Sequence, residues 1–361
     1  MKILLAGGGT AGHIEPALAV ARGWQEHHPQ DEIIFIGTDS GLENTLIPAA
    51  GFPLLHIPRI NIARKISPSL LKVPAQLFTS IFKTVRILKD VDCAIGFGGY
   101  VSAPLYCAAA ITRTPFVIHE QNARPGWANR VGAWLTSFRA ISYPVTSGAL
   151  SKAELTGLPL RTDVRSALLE AGENWVQART EAKRAVAARY GIDSARKLIF
   201  IFGGSQGSQA INAVIESSQP LFASHHCAVI HGVGKNNPLP TASDTYKPLN
   251  YIDEMAEIYL AADLLISRSG AVTCAEAAAL SKFSLFIPLP IGNGEQALNA
   301  QELVSAGRAE IIEQRNFDVQ WLEQNISRLL GRSAAQSESG DASRADAVDK
   351  IVAIIERAVK R

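Results

Sequence analysis

The most regular pattern in the chain is an apolar run that ends in glycines and continues as a helix-like segment. One copy occupies residues 2–13 and a second occupies residues 197–208, and the two copies align without gaps. Apolar runs of this kind predict strands, and the glycines after them permit a tight turn. Each half of the chain is therefore expected to begin with a strand, a glycine loop and a helix.

Strand-like and helix-like segments continue to alternate in both halves. Residues 32–37 and 264–267 are further strand-like runs, and Ala-rich helical segments follow such runs. This alternation predicts βαβ units with a parallel sheet in each half. The expected fold class is α/β, with two Rossmann-like domains facing a central cleft.

Domain boundaries are indicated where glycine and proline interrupt the periodicity. Residues 157–161 carry such an interruption, and a Ser-, Ala- and Gly-rich stretch lies near residue 336. We therefore expect domains at 1–158 and 159–336. Residues 337–361 end in an amphipathic helix that is expected to pack back on the first domain.

Composition and charge exclude several classes of protein. The 361 residues are 47% hydrophobic and 19% charged, with a formal net charge of only +2. These values are typical of a globular protein, and no nucleic-acid partner is expected. The four cysteines form no C-x-x-C pair, which fits a reducing compartment.

Export and membrane-spanning signals are not expected. The apolar run at the N-terminus meets glycines too soon for a secretory signal. The longest uncharged stretch, residues 93–112, contains three glycines and a proline and predicts strand, turn and helix. Any membrane contact is therefore expected to be peripheral.

The glycine loops are suited to phosphate because the free amides of a helix N-terminus can face an anion. Gly7, Gly9 and Gly12 also match the dinucleotide fingerprint, with Asp39 as the ribose acid. An NAD-binding protein is one interpretation. A simple dehydrogenase has no use for the second loop, so the duplication favours two phosphate-containing ligands.

Two residues stand out as candidates for chemistry and binding. His13 lies where the first loop meets its helix, and imidazole can accept a proton near neutral pH; alternatively, His13 caps that helix. Glu276 lies in the helix that follows another strand and glycine turn, where it could bind a diol. The alternative is a buried carboxylate paired with Arg268.

The loop at residues 292–300 concentrates polar side chains between a strand and a helix, which indicates sugar contacts or an N-terminal cap. Metal motifs are incomplete: His119-Glu120 lacks a second histidine, and Asp90 and Asp92 fit a turn. We expect no obligatory metal ligand and no cofactor.

Five ordered motifs resemble those of the MurG family, the glucosaminyltransferases of the lipid stage of peptidoglycan synthesis. They are GGTAGH at residues 8–13, GGYVSAP at 98–104, HEQN at 119–122, GGSQG at 203–207 and SRSGA at 267–271. The resemblance covers nearly the whole chain and implies the GT-B fold.

The resemblance also implies an activity. It is the inverting transfer of N-acetylglucosamine from UDP-GlcNAc to the 4-hydroxyl of undecaprenyl-diphospho-N-acetylmuramyl-pentapeptide, at the cytoplasmic face of the membrane. Cell-wall and division proteins are candidate partners. A UDP-GlcNAc 2-epimerase of the same fold is the alternative, and a nonenzymatic nucleotide-sugar sensor is a second one.

Residue by residue, the resemblance implies that His13 is the proton acceptor. The acceptor diphosphate is assigned to Gly8, Gly9, Thr10, Gly98, Gly99 and Tyr100. The donor is assigned to Thr10, Gly12, Asn122, Arg161, Ser205, Ile252, Glu276, Glu295 and Gln296. Among these, Arg161 and Ser205 are implied near the phosphates, Ile252 at the uracil, Glu276 at the ribose and Gln296 at the GlcNAc.

Two residues depart from the family pattern. Ala11 replaces a usual glycine, and Glu295 stands where the family often has a glutamine. A carboxylate accepts hydrogen bonds from sugar hydroxyls but cannot donate an amide hydrogen.

A basic and apolar segment at residues 58–89 predicts docking on anionic membrane. No acidic residue lies between Glu43 and Asp90. The basic residues are Arg59, Arg64, Lys65, Lys72, Lys83, Arg86 and Lys89, and the apolar ones among them are Leu70, Leu71, Val73, Leu77, Phe78, Ile81 and Phe82. The alternative is an amphipathic helix whose apolar residues face the core.

Overall fold

Each copy of the repeated pattern supplies a central strand to its own parallel sheet. The computed structural model describes residues 1–60, 73–291, 293–334 and 339–360. The chain divides into a first unit, Met1–Arg161 with Asp346–Arg361, and a second unit, Thr162–Ala345. Each unit has its own sheet and its own hydrophobic core.

The first unit contains seven parallel strands among its described residues, in the order β3-β2-β1-β4-β5-β6-β7. They are β1 Lys2–Ala6, β2 Glu32–Gly37, β3 Leu54–His56, β4 Cys93–Gly96, β5 Phe116–Glu120, β6 Arg139–Ile141 and β7 Glu154–Leu155. The helices are α1 Ala11–His27, α2 Glu43–Ala49, α3 Val73–Ile87, α4 Gly99–Thr112 and α5 Trp127–Gly132, with 3₁₀ turns at Leu88–Asp90 and Ala149–Lys152.

The strand β1 lies between β2 and β4, with Ile3 opposite both Ile33 and Cys93. Residues 3–6 of β1 are all buried, as expected for a parallel strand covered on both faces. The strand order runs in opposite directions on the two sides of β1. The loops after β1 and β4 therefore meet at the switch point, where ligands bind in such sheets.

The second unit has six parallel strands in its described part, in the order β10-β9-β8-β11-β12-β13. They are β8 Lys197–Phe202, β9 Cys227–Gly232, β10 Tyr246–Leu249, β11 Leu264–Ser267, β12 Ser284–Phe286 and β13 Ala309–Ile311. The helices are α6 Thr162–Ala171, α7 Trp175–Tyr190, α8 Gln209–Ser217, α9 Gln219–Ser224, α10 Met255–Ala261, α11 Ala271–Ala279, α12 Glu295–Asn299, α13 Gln301–Ser305 and α14 Val319–Ala334, with 3₁₀ turns at Gly172–Asn174, Gln314–Asn316 and Ala342–Asp346.

The second sheet repeats the arrangement of the first. The strand β8 pairs with β9 on one side and with β11 on the other. The loop after β8 therefore occupies the same kind of switch point as the loop after β1. The two parallel sheets confirm the α/β class and the two Rossmann-like halves that the repeat predicts.

The last helix, α15 Ala347–Val359, belongs to the first unit and packs on α1. A β-carbon on Gly23 of α1 would lie 2.2 Å from Cγ1 of Val348, so the absence of a side chain allows this close approach. His28 Nε2 also lies 2.9 Å from a carboxylate oxygen of Glu356.

The unit boundaries differ from the sequence-based ones at 158 and 336. Residues 336 and 337 lie outside the described residues, and the second unit continues to Ala345. The reason is local bonding: the Asp341 amide donates to the Ala279 carbonyl, and Arg344 pairs with Glu302. Both partners belong to the second unit.

Candidate active site

The first glycine loop leaves little room around its backbone. A β-carbon on Gly8 would lie 2.8 Å from Cγ2 of Val101, and one on Gly9 would lie 2.8 Å from Cε1 of Tyr100. Gly12 is more open, because its nearest neighbour would be Thr10 Oγ1 at 3.6 Å. The structure thus packs Gly8 and Gly9 against the segment that begins α4.

The second glycine loop lies beside the first. Gly98 has a φ of 89°, which favours glycine, and a β-carbon there would lie 3.5 Å from Cδ2 and Nε2 of His13. A β-carbon on Gly99 would lie 3.4 Å from the Gly8 carbonyl oxygen. All six residues assigned to the acceptor diphosphate, together with His13, therefore lie in one region of the first unit.

His13 is half-buried in the first turn of α1. Its Nδ1 lies 3.1 Å from the Thr10 hydroxyl, and Thr10 is the N-cap residue of the helix. Burial lowers the pKa of His13 to about 4, and the Glu43 carboxylate opposes this by raising it. The imidazole is therefore neutral at pH 7 and can accept a proton.

A buried carboxylate at this site was missed in the sequence. Glu43 is 0% exposed and accepts hydrogen bonds from the Gly9 amide and from the hydroxyls of Tyr100 and Thr38. The sequence drew attention to Asp39 instead, but Asp39 is exposed. The available signal was an acidic residue in the first turn of the helix after β2.

The loop that contains Asn122 is held by a second buried carboxylate, Glu120. One oxygen of Glu120 accepts from the Asn122 amide at 3.0 Å, and the other accepts from the Gly126 amide and from Asn129 Nδ2, both at 3.0 Å. Burial raises the pKa of Glu120 above its ordinary value, and these hydrogen bonds offset only part of that rise. Asn122 thus follows β5 in the first unit, while Thr10 is the N-cap of α1 and Gly12 lies in the first turn of α1.

In the second unit, the glycine loop around Ser205 packs against the segment after β9. A β-carbon on Gly207 would lie 1.8 Å from the Val233 carbonyl oxygen, and Asn237 Nδ2 donates to the Gln206 carbonyl at 3.0 Å. Ser208 accepts from the Ile211 amide and caps α8. Ser205 therefore lies in the loop just before the N-terminus of α8, where the amides that the cap does not use can face an anion.

Arg268 ties this loop to its neighbours. Its buried guanidinium donates to Ser208 Oγ at 2.7 Å, to Gln314 Oε1 at 2.6 Å and to the carbonyls of Ile287 and Pro288. Burial lowers its pKa. None of these acceptors is Glu276, so the geometry does not favour the alternative in which Glu276 is paired with Arg268.

Glu276 is fully buried in α11, and Ile252 is 8% exposed just before α10. The Ser269 hydroxyl, between β11 and α11, is buried and has no hydrogen-bond partner among the residues described. Arg161 is half-buried at the end of the first unit. Of these residues, Ile252 lies beside Gly232 at the carboxyl end of β9, and Ser269 follows the carboxyl end of β11.

Glu295 and Gln296 are engaged within their own loop. Glu295 Oε2 accepts from the Asn293 amide at 3.1 Å, and Gln296 Oε1 accepts from the Leu289 amide at 3.0 Å. Gly292, which opens the sequence motif, lies outside the described residues. Both bonds hold the loop that precedes α12, and neither caps an amide of that helix.

Comparison with known proteins identifies the family. The model of the glycosyltransferase family 28 N-terminal domain matches residues 3–138, and that of its C-terminal domain matches residues 198–355. The UDP-N-acetylglucosamine–N-acetylmuramyl-(pentapeptide) pyrophosphoryl-undecaprenol N-acetylglucosamine transferase of Corynebacterium diphtheriae is 39% identical, over 97% of this chain and 96% of that protein. The protein of the same name from Streptomyces coelicolor is also 39% identical, over 99% of this chain and 98% of its own.

The crystal structure of Acinetobacter baumannii MurG superposes with a TM-score of 0.70 at 26% identity, covering 99% of each chain. The chain belongs to the MurG family. The resemblance carried by the five motifs is thereby confirmed, as is the classification as a UDP-GlcNAc-dependent glycosyltransferase.

Other proteins share the fold of the MurG family at lower identity. A UDP-GlcNAc 2-epimerase of Neisseria meningitidis, solved with UDP-GlcNAc, has a TM-score of 0.61 at 16% identity and covers 99% of this chain and 100% of its own. That likeness concerns the fold alone, and the epimerase alternative is less well supported than the transferase.

Proposed function

We propose that the protein transfers N-acetylglucosamine from UDP-GlcNAc to the 4-hydroxyl of undecaprenyl-diphospho-N-acetylmuramyl-pentapeptide, which converts lipid I to lipid II. The observation that carries the proposal is the convergence of two glycine loops on the neutral imidazole of His13. Relatives named for this transfer match nearly the whole chain, which supports the pair of substrates.

In the proposed reaction, the 4-hydroxyl oxygen attacks the anomeric carbon of the donor. A bond forms between that oxygen and carbon while the bond from carbon to the UDP oxygen breaks, so the configuration inverts. The hydroxyl proton passes to His13, and UDP leaves with the bonding electrons. The acceptor's anionic diphosphate, bound nearby, would raise the pKa of His13 and make it a better base.

The acceptor diphosphate is proposed to bind at the N-termini of α1 and α4. Both helices begin directly after a glycine loop, and a helix N-terminus favours negative charge. The Gly9 amide and the Tyr100 hydroxyl already donate to Glu43. Gly9 and Tyr100 therefore act by shaping the loops, while the amides at the start of α1 remain suited to the phosphates.

The donor is proposed to bind in the second unit. Ser205 and the amides near the start of α8 would face the UDP diphosphate, where they stabilise the charge that develops as UDP leaves. Arg161 would add positive charge, Ile252 would meet the uracil through its backbone, and Glu276 would accept from the ribose hydroxyls. Glu295 and Gln296 would contact the GlcNAc.

A membrane-docking surface is proposed on α3 of the first unit. Phe78 and Phe82 are 68% and 53% exposed, and Lys83 and Arg86 are exposed beside them. Arg86 lies over the Phe82 ring at 5.5 Å. Five residues of the segment at 58–89 lie outside the described residues: Arg64, Lys65, Leu70, Leu71 and Lys72.

The core-facing alternative holds for one face of α3 only. Ser80 and Thr84 are buried, and Ile81 is partly buried against the hydrophobic core of the first unit, whereas both phenylalanines face solvent. Two further exposed aromatic residues are Trp127 in α5 and Trp134 just after it. Helices α3 and α5 both pack on α4. Aromatic side chains flanked by cations suit an anionic lipid headgroup layer, so we propose peripheral attachment at the cytoplasmic face. Among the described helices, none is long and apolar enough to cross a bilayer.

One reconstitution separates the proposed function from its two alternatives. The full chain is incubated with UDP-GlcNAc, with and without a lipid-linked muramyl-pentapeptide acceptor, and the products are analysed by mass spectrometry. A transferase forms a lipid-linked disaccharide and UDP only when the acceptor is present. Epimerised sugar without acceptor would indicate the epimerase, and UDP-GlcNAc binding without turnover would indicate a sensor.

A further inference from the structure

We propose that Glu43 is a positioning residue for this transfer, one that sets the distance between the two glycine loops and supplies a negative charge to His13. The inference rests on the proposed function, because it assigns Glu43 to the acceptor side of that reaction. It concerns a carboxylate that neither substrate needs to contact.

The carboxylate of Glu43 joins three separate segments. Oε2 accepts from the Gly9 amide of the first loop at 2.9 Å. Oε1 accepts from the Tyr100 hydroxyl of the second loop at 3.0 Å and from the amide and hydroxyl of Thr38 at 3.3 and 3.1 Å. The two oxygens therefore connect the loop after β1, the end of β2 and the start of α4.

The surrounding backbone is shaped to admit this side chain. A β-carbon on Gly41 would lie 2.3 Å from Oε2 of Glu43, and one on Gly37 would lie 2.8 Å from its Cγ. A β-carbon on Gly8 would lie 3.2 Å from Oε1. Three glycines from three segments thus leave space for one carboxylate, and a larger residue at any of them would displace it.

A simpler interpretation is that Glu43 only stabilises α2, in whose first turn it lies. The four donors above argue against this, because none of them is an amide of α2. A helix-stabilising acid also needs no contact with Tyr100 or Gly9. The bonds indicate instead that the carboxylate holds the two loops in register.

Glu43 also acts on His13 through its charge. Its negative charge raises the pKa of His13 against the effect of burial. A neutral side chain at position 43 would therefore make His13 a weaker base. Positioning and basicity are separate consequences, and two substitutions can separate them.

Glu43→Gln removes the charge and replaces one carboxylate oxygen with an NH2 group, a donor that faces other donors. Glu43→Asp keeps the charge but shortens the side chain by one methylene group. We expect kcat with a lipid-linked acceptor to fall by about 10²-fold in both variants, because displacement of a reacting group by an ångström costs about that much. UDP affinity, measured by calorimetry, should remain that of the wild type.

The pKa of His13 gives a readout that a purely structural role would not change. It is measured by NMR titration of the full chain labelled with ¹³C-histidine, and the His13 signal is assigned from a His13→Ala sample. The pKa should fall in Glu43→Gln and remain closer to the wild-type value in Glu43→Asp. Asp263→Asn is the matched control, since Asp263 also accepts from a backbone amide, that of Leu198, but belongs to the second unit.

Wild-type kcat in Glu43→Gln, or an unchanged His13 pKa, would overturn the inference. If Glu43→Gln does not fold, Thr38→Val removes a single donor to the carboxylate, and wild-type kcat in that variant would equally contradict it. If the wild-type protein forms no disaccharide, the proposed function fails, but the NMR comparison still decides whether Glu43 controls the charge of His13.

Discussion

The Thr10 hydroxyl lies 3.1 Å from Nδ1 of His13, which leaves Nε2 on the side of Gly98. One nitrogen of a neutral imidazole carries the proton and the other accepts. If Nδ1 donates to Thr10, the lone pair lies on Nε2, beside the second glycine loop. Thr10 would then fix the tautomer that the proposed reaction requires.

The first prediction concerns His13 as the proton acceptor. His13→Ala should lower kcat by about 10²- to 10⁴-fold, the usual contribution of general-base catalysis, and should leave UDP affinity unchanged. His27→Ala is the control, because His27 is exposed at the other end of α1. Near-normal turnover in His13→Ala would reduce His13 to a positioning group.

The pH dependence follows from the same residue. With a pKa of about 4 in the free protein, His13 becomes protonated as the pH falls through that value, so kcat/KM should decline on the acidic side. The decline should be missing from the residual activity of His13→Ala. An identical acidic limb in both proteins would assign it to another group.

A second prediction concerns Glu276 and the donor. Glu276→Ala should weaken UDP binding by roughly 1.5–3 kcal/mol if the carboxylate accepts from the ribose hydroxyls, as measured by calorimetry. Glu323→Ala, an exposed residue of α14, serves as the control. A lower melting temperature with unchanged UDP affinity would return Glu276 to a structural role.

The third prediction concerns metal ions. Because the sequence motifs for metal ligands are incomplete, we expect turnover to survive EDTA at least in part. Complete loss that only added Mg²⁺ or Mn²⁺ restores would show that a cation neutralises the departing diphosphate.

The fourth prediction tests the α3 surface on vesicles. Lys83→Glu combined with Arg86→Glu should weaken sedimentation with vesicles that contain acidic lipid, since each basic residue near the surface contributes about 1 kcal/mol before screening. Binding of the wild type should also fall as salt rises. The matched control reverses Lys152 and Arg184, which are exposed elsewhere and change the net charge equally. Equal loss in both double variants would exclude α3 as the specific docking site.

The fifth prediction compares two helical glycines. Gly23→Ala should lower the melting temperature, because the new β-carbon meets Val348 and overpacking costs about 1–3 kcal/mol. Gly331→Ala in α14 should raise the melting temperature slightly, because alanine favours a helix over glycine by about 0.5–1 kcal/mol and a β-carbon there would have nothing within 4 Å. Differential scanning calorimetry of both variants checks the contrast.

The secondary-structure elements that depend on short-range sequence patterns could be predicted from the sequence. The strand, glycine loop and helix at β1–α1 and β8–α8 lie where the repeat placed them, and α15 occupies Ala347–Val359 within the expected terminal helix. Burial of both strand faces leaves a continuous apolar run, and a turn requires glycines, so these features are visible locally.

The side-chain networks could not be predicted because their partners are distant in sequence. Glu43 binds Gly9 and Tyr100 across 34 and 57 residues, and Arg268 binds Ser208 across 60. Only the strand order brings such residues together. The local sequence marks Glu43 as an acidic residue at the start of a helix, but it does not show that Glu43 is buried while Asp39, four positions earlier, faces solvent.

The packing of α15 on α1 has a consequence for synthesis of the protein. The first unit consists of residues from both ends of the chain, whereas the second is one continuous stretch between them. Domains generally fold as units while the ribosome is still adding residues. The second unit is synthesised before α15, so the apolar face of α1 at Gly23 and Trp24 stays uncovered until α15 follows. The first unit therefore closes its core only after α15 has been synthesised, when the whole of the second unit already exists.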